Sequence, residues 1–271
     1  MRTRPAEFRF RMELTLLTIN TWKCDGDYYN RREVLKNELL RSDAQVILCQ
    51  ECFRSIDGKI DTLGYLSQAL GMTAYAVPAR EKKRLLGDQW VDSFSGLGIL
   101  TTLPVTSASV IALPSDEADG GRKAQLVTIE PTPGVELSVA NIHLTHLPDD
   151  ALRRRQLQTI LAVMQDSKTA FRIIGGDWNA EPDNPTLLHM METTPAADCY
   201  VLGKGAVPRS SLLYFFRKGQ SVCVDHFYTL PLRTPSTYPS FIRAGVVLDQ
   251  PDAGSGLYPS DHFGIRITLV Y

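Results

Sequence analysis

Hydrophobic residues fall along this chain in short β-branched and aliphatic runs that read as strands. They are Leu14 to Ile19, Val46 to Cys49, Gly96 to Thr101, Leu126 to Ile129, Leu137 to Ile142, Phe171 to Ile174, Val222 to Tyr228 and Gly264 to Val270. Between some of them the period turns helical. Asn30 to Arg41 sets Val34, Leu35, Glu38 and Leu39 at helical spacing behind an expected Asn30–Glu33 capping box. Thr62 to Leu70 reads as a second helix, stopped by Gly71. A third opens at Asp149 or Asp150, where an acid suits the positive end of the helix dipole. It buries Leu157, Ile160, Leu161 and Met164 and turns Arg153, Arg154 and Arg155 outward. The two strands either side of Pro131–Gly134 follow one another directly, so the pattern is mixed α/β rather than a strict βαβ repeat. No repeat, low-complexity stretch or linker divides the chain, and residues 1–271 are expected to form one domain.

Composition narrows this further. With 44% hydrophobic and 22% charged residues among 271, the chain belongs with folded globular proteins. No apolar run reaches the roughly 18 residues of a membrane span, and Met1 to Met12 has neither a continuous apolar core nor a cleavage site, so a cytoplasmic location and a monomer are expected. The five cysteines are irregularly spaced and read as reduced thiols rather than a zinc site; the close pair Cys49 and Cys52 has no second pair to match it. The formal charge of −1 leaves no broad basic field for duplex nucleic acid. Local basic patches at Arg80 to Arg84 and Arg153 to Arg155 read as solvated surface.

Polar clusters sit at the ends of the apolar strands. They are Asn20; Gln50-Glu51; Asn141-Ile142-His143; Gly176-Asp177-Trp178-Asn179; and Ser260-Asp261-His262, with Asp225-His226 inside a further strand. Any one alone reads as a turn residue, a surface acid or a satisfied histidine. Together, Glu51, Asp177 and Asp261 would repel one another unless a cation or basic partner sat among them, and a set of hard oxygen ligands suits magnesium or manganese rather than zinc or copper.

In this order, over nearly the whole chain, the clusters resemble the endonuclease/exonuclease/phosphatase superfamily; the Gly-Asp-x-Asn and Ser-Asp-His elements are the specific part of the match. Ser95-Gly-Leu-Gly-Ile-Leu100 and Val224-Asp225-His226-Phe227 are similar to two more of its strands. The resemblance implies a DNase I-like, four-layered α/β/β/α sandwich of two mixed sheets with the site at one sheet edge. It also implies roles. Glu51 would be the principal metal ligand, assisted by Asp261 with Asn20 nearby; Asp177 would orient and deprotonate the attacking water; Asn179 would hold that water or a phosphate oxygen. His262, paired with Asp225, would bind phosphate, and His143 would neutralise developing charge or assist the leaving oxygen.

The same division of labour follows from the chemistry of phosphate esters. Nonbridging oxygens must be neutralised, a water set in line and the leaving oxygen stabilised. One departure stands out: many members carry an acid two positions after the first Asn, where this chain has Trp22, which puts a second metal position in doubt. His146 and His226 are expected to face solvent or serve structure, although His146 could reach the phosphate.

The expected substrate is a phosphate ester, drawn from nucleic acid, phospholipid or inositol phosphate. Gln50-Glu51-Cys52-Phe53 is faintly similar to the sphingomyelinase branch, while a nucleic-acid end-processing nuclease is the other alternative. Substrate choice is expected in three loops: Ala79 to Phe94; Pro114 to Lys123, with Arg122 and Lys123 as possible phosphate contacts; and Lys204 to Gln220. The aromatic run Leu212 to Phe216 reads as a core strand that, if exposed, could stack a base or touch lipid. A catalytically silent binding module is disfavoured because the acidic and histidine positions are filled, and a zinc hydrolase because no His-Glu-x-x-His spacing occurs.

Overall fold

The computed structural model describes residues 12–231 and 239–271. The N-terminal reading above falls almost wholly outside them. In chain order the elements are β1 (Glu13–Asn20), α1 (Tyr28–Leu40), β2 (Val46–Ser55), α2 (Thr62–Leu70), β3 (Thr73–Leu86), β4 (Gln89–Thr101), β5 (Val105–Ala112), β6 (Lys123–Thr132) and β7 (Val135–His143). Then come α3 (Asp150–Asp166), β8 (Phe171–Asp177), α4 (Pro185–Thr193), β9 (Ala197–Asp198), α5 (Cys199–Lys204), α6 (Leu213–Phe216), β10 (Asp225–Thr229), β11 (Ser240–Val247) and β12 (Gly264–Val270).

Twelve strands form two six-stranded mixed sheets, ordered β11-β12-β1-β2-β4-β3 and β5-β6-β7-β8-β10-β9. Their inner faces meet in one dry core, Leu16, Leu48 and Ile99 of the first sheet against Val127, Val139, Ile173 and Phe227 of the second. The first sheet's outer face is covered by Leu35 and Leu39 of α1 and by Leu63 and Leu66 of α2. Leu157, Ile160 and Leu187, from α3 and α4, cover the second. The result is the four-layered α/β/β/α sandwich. No helix among the described residues is long and apolar enough to cross a membrane.

Where the pattern is local, the boundaries agree. α2 begins after Asp61, whose carboxylate accepts from the Gly64 amide at 2.9 Å, and ends at left-handed Gly71. α3 is capped by Asp149, which accepts from Leu152 N at 3.0 Å.

Elsewhere the structure corrects the reading. α1 starts at Tyr28, after Asp27; Asn30 lies inside the helix and donates to Asp27, while Glu33 accepts from Lys36 and Tyr65, so there is no capping box. Arg153 is buried, its head group donating to the carbonyls of Thr145 and Leu147 and pairing with Asp150, because it ties the start of α3 to the loop after β7. The charge-rich segment Ala79 to Phe94 is no loop but the paired arms of the β3–β4 hairpin, where Glu81, Lys82, Lys83 and Asp92 face solvent while Arg84 is buried. Leu212 to Phe216 is no core strand: it leads into the one-turn helix α6, which buries no residue and exposes Tyr214 and Phe216. All five cysteines are free and buried.

Candidate active site

Both sheets deliver polar groups to the same edge. β1 and β2 run parallel, setting Asn20 beside Gln50. In the second sheet β7 pairs parallel with β8, and β8 antiparallel with β10, so His143, Asp177 and Asp225 stand in one row. Asp261 and His262 enter from the turn before β12. Ser260, fully buried, fixes that turn: its Oγ donates to the Asn20 carbonyl at 2.6 Å and accepts from His262 N.

Glu51 lies inside β2 rather than after it. The strand bulges between Cys49 and Cys52, and Glu51 adopts φ 55°, a left-handed conformation rare for a side chain of this size. A buried amide cluster holds the bulge. Asn141 Nδ2 donates to the carbonyls of Cys49 (3.1 Å) and Gly98 (2.9 Å), and its Oδ1 accepts from Gln50 Nε2 at 2.8 Å, so β7 of one sheet is bonded to β2 and β4 of the other. Gln50 and Asn141 stood in the sequence motifs with no role of their own; buried amides at two strand ends were the signal.

Asp177 ends β8 at a turn that only glycine permits: Gly176 has φ 141°, and a Cβ there would lie 2.1 Å from the Ile142 carbonyl oxygen. Trp178 is fully buried and anchors the turn, donating from Nε1 to the His226 carbonyl. Asp177 Oδ1 accepts from Asn179 N at 2.9 Å, while Oδ2 accepts from Asn20 Nδ2 at 3.0 Å and lies 3.5 Å from His143 Nε2. Asn179, itself left-handed at φ 48°, donates to the Leu144 carbonyl.

His262 Nδ1 lies 2.8 Å from Asp225 Oδ2, both nearly inaccessible. Burial alone would pull this imidazole down, but Asp225, with Asp177 and Asp261 nearby, outweighs it and raises the pKa to about 10. The Asp177 carboxyl is pushed up by burial and by Asp225, and that of Asp261 by burial and by Glu51. His143 goes the other way: burial, then Arg122 and His262, hold it well below the usual histidine range and therefore neutral. Asp177, Asp225 and His262 each offer a ligand atom, all within 4.8 Å of one another, close enough to hold a metal ion.

These groups line a cleft of about 230 Å³ that contains Asn20, Glu51, His143, Asp177, Asn179, Asp261 and His262. Asp225 stands behind His262. Three further cations belong to this cleft, of which sequence reasoning missed Lys23 and Arg80 and offered Arg122 as a possible phosphate contact. Lys23, in a left-handed backbone at φ 43°, sets its ammonium 2.9 Å from Glu51; Arg80 and Arg122 stand at the rim. His146 also lines the cleft, half-exposed, its Nδ1 close to Asp119 and Arg122. His226 does not: it is buried in the second sheet, accepting from Arg209 and donating to the Ala180 carbonyl.

The endonuclease/exonuclease/phosphatase family model matches residues 17–262, from β1 to the histidine of the last turn. The chain belongs to this family. Among solved structures it is similar to a family member from Bacteroides thetaiotaomicron at 18% identity and TM-score 0.76, covering 96% of each chain. A mannosyl-6-phosphatase from the same organism matches at 18% identity and TM-score 0.74, over 95% of this chain and 100% of that one. The human Nocturnin catalytic domain with bound sulfate matches at 18% and 0.69, over 96% and 97%. At such identities the likeness is one of fold. No curated protein matches the chain.

Proposed function

We propose that this family member is a metal-dependent phosphoesterase that cleaves a phosphate ester by attack of water. The observation that carries the reading is the convergence, in one cleft, of a buried carboxylate, a charged histidine and a separate acidic pair from different parts of the chain.

The donor set fits a hard divalent cation. Glu51 and Asp261 face the same cleft, Glu51 disfavours the charge of Asp261, and among the described residues Glu51 forms an ion pair only with Lys23. Glu51 and Asp261 would hold magnesium, or manganese, which would polarise the phosphoryl group and offset its charge. Asn20 has a direct duty toward Asp177, so it serves to position that carboxylate as well as to stand near the ion.

Asp177 is the proposed base. Burial raises its proton affinity, and the Asn179 amide and the Asn20 side chain fix both its oxygens, so a water bonded to it is oriented without reorganisation. His262 keeps its proton near neutral pH through Asp225 and donates from Nε2 to a phosphate oxygen. His143, neutral and within reach of Asp177, donates a hydrogen bond to the reacting phosphoryl group or leaving oxygen.

A panel of phosphate esters assayed in magnesium, including nucleic acids, sphingomyelin, inositol phosphates and sugar phosphates, is expected to yield turnover that excess chelator abolishes. Asp177→Asn is expected to lower kcat on that substrate on the order of 10²-fold with KM little changed. Full turnover in chelator, or a destabilised Asp177→Asn protein of normal kcat, would refute the reading.

A further inference from the structure

Beside the cleft a narrow groove of about 20 Å³ runs between the β3–β4 edge and the loop 113–122, lined by Arg80, Ser95, Gly96, Arg122 and Lys123, with Glu51 and His143 at its inner end. Arg80 and Arg122 line both hollows and so mark their junction.

Of the two guanidiniums at this junction only that of Arg122 has a carboxylate partner, Asp119. The Arg80 guanidinium makes no ion pair or hydrogen bond among the described residues, and Lys123 meets only the Pro78 carbonyl. Behind Arg80 on the same strand lies Arg84, buried, bonded to Ser93, Ser95 and backbone carbonyls and to no acid. Burying a cation without an anion is costly, and burial lowers the Arg84 pKa, so the strand holds positive potential at the cleft's edge against a penalty. Glu51, the only acid lining the groove, already carries Lys23.

Arg122 is rigid rather than free. Its Nε and Nη2 donate to one oxygen of the fully buried Asp119, at 2.9 and 2.6 Å, and Nη2 also meets His146 Nδ1. Nη1 has only a 3.5 Å contact with the His143 carbonyl and keeps donor capacity to spare. Opposite it, left-handed Gly120 leaves space that Arg80 uses, since a Cβ there would lie 3.0 Å from Arg80 Nε. One guanidinium locked by a buried carboxylate facing a second with no partner is a fork for a planar or tetrahedral anion.

We propose that Arg80 and Arg122 form a second anion subsite, so that the substrate carries another phosphate group beyond the ester that is cleaved. Asp119 is the positioning residue of this subsite. The cleaved phosphoryl group has His262, His143 and Asn179 within the cleft itself, which leaves the junction arginines for a neighbouring group. The inference rests on the phosphoesterase reading only for the identity of the first phosphate.

The test measures binding, not turnover. In magnesium, Asp177→Asn protein is titrated calorimetrically with a nucleoside 5′-monophosphate and with the matching 3′,5′-bisphosphate. The bisphosphate is expected to bind about tenfold tighter or better, in line with one charge-assisted contact. Adding Arg80→Ala is expected to remove that advantage and leave monophosphate binding within about twofold, with Arg80→Lys restoring part of it. Since Arg80 is partly exposed on a hairpin edge, the fold survives the change; thermal melting confirms it. A short single-stranded oligonucleotide whose binding exceeds that of the bisphosphate and shows the same Arg80 dependence would support the subsite with a polynucleotide as its source. An unchanged ratio, equal weakening of both ligands, or no bisphosphate binding at millimolar concentration would overturn it. Absence of turnover by the unaltered protein would instead sink the hydrolase reading and leave the subsite standing.

Discussion

Lys23 sets its ammonium on Glu51 from a left-handed backbone, with Trp22 beside it left-handed too at φ 56°. Each such conformation costs of order 1 kcal/mol or more, and here the chain is held to it by Arg31, whose guanidinium donates to the carbonyls of Trp22, Asp25 and Pro259. Burial would lower the Lys23 pKa, but Glu51 outweighs it and raises it, so the lysine stays charged. In the proposed metal site an ammonium and a divalent ion would compete for the same carboxylate. Lys23→Met is therefore expected to tighten magnesium binding, on the order of tenfold for the loss of one charge-assisted partner. Titration calorimetry of the two proteins checks this; unchanged binding in the variant would show that Lys23 does not oppose the ion, and weaker binding that it aids it. The sequence displays the acid missing at Trp22 but not the lysine that stands on Glu51, because that contact depends on two adjacent left-handed residues.

Among elements, the bulge of β2 decides where Glu51 can act, and the bulge depends on an amide in the other sheet. Asn141→Ala would take the Nδ2 donor from the buried carbonyls of Cys49 and Gly98 and one acceptor from the Gln50 amide, which keeps Thr18 and the Leu48 carbonyl. A cost on the order of 2–4 kcal/mol is expected from these unmade bonds, with magnesium affinity reduced in the protein that remains folded. Urea unfolding beside a magnesium titration separates the two effects; loss of stability with unaltered affinity would detach the bulge from the metal site. Strand ends such as Asn20, His143 and Asp177 were legible in the sequence because an apolar run stops abruptly at each. Glu51 was legible as chemistry but not as geometry: a bulge leaves no mark on the hydrophobic period beyond one slipped residue. The β3–β4 hairpin was missed for a different reason. Its arms are half-exposed and highly charged, so cross-strand pairing, which a linear pattern does not show, outweighs the apolar signal. Leu212 to Phe216 misled in the opposite sense, being aromatic without being buried.

At the scale of the whole molecule, folding and proton uptake are linked through His226. Burial, with Arg209 adding to it, lowers its pKa to about 4 from 6.5, and the ring is bonded as a neutral species to Arg209 and Ala180. Above pH 6.5 folded and unfolded chains both hold it neutral. Between about pH 6.5 and about 4 the unfolded chain takes up a proton that the folded one refuses, so stability falls as pH falls. His226→Gln is expected to melt below the unaltered protein at pH 7.5 and to close part of that gap at pH 5. A gap that is constant across this range would mean that His226 does not titrate between the two states.

The order of strands carries one more consequence, in time rather than in space. Residues of β5 to β10 build the second sheet from one continuous stretch, whereas the first sheet is made from both ends of the described chain, β1 pairing with β12. As a polypeptide leaves the ribosome, Glu51 and Asp177 are made well before Asp261 and His262, which precede only the last strand. A chain extended only that far has Glu51 and Asp177 but neither the turn that brings His262 to Asp225 nor the strand that secures β1. The cleft is therefore complete only once β12 has joined β1, however much of the second sheet has folded before it.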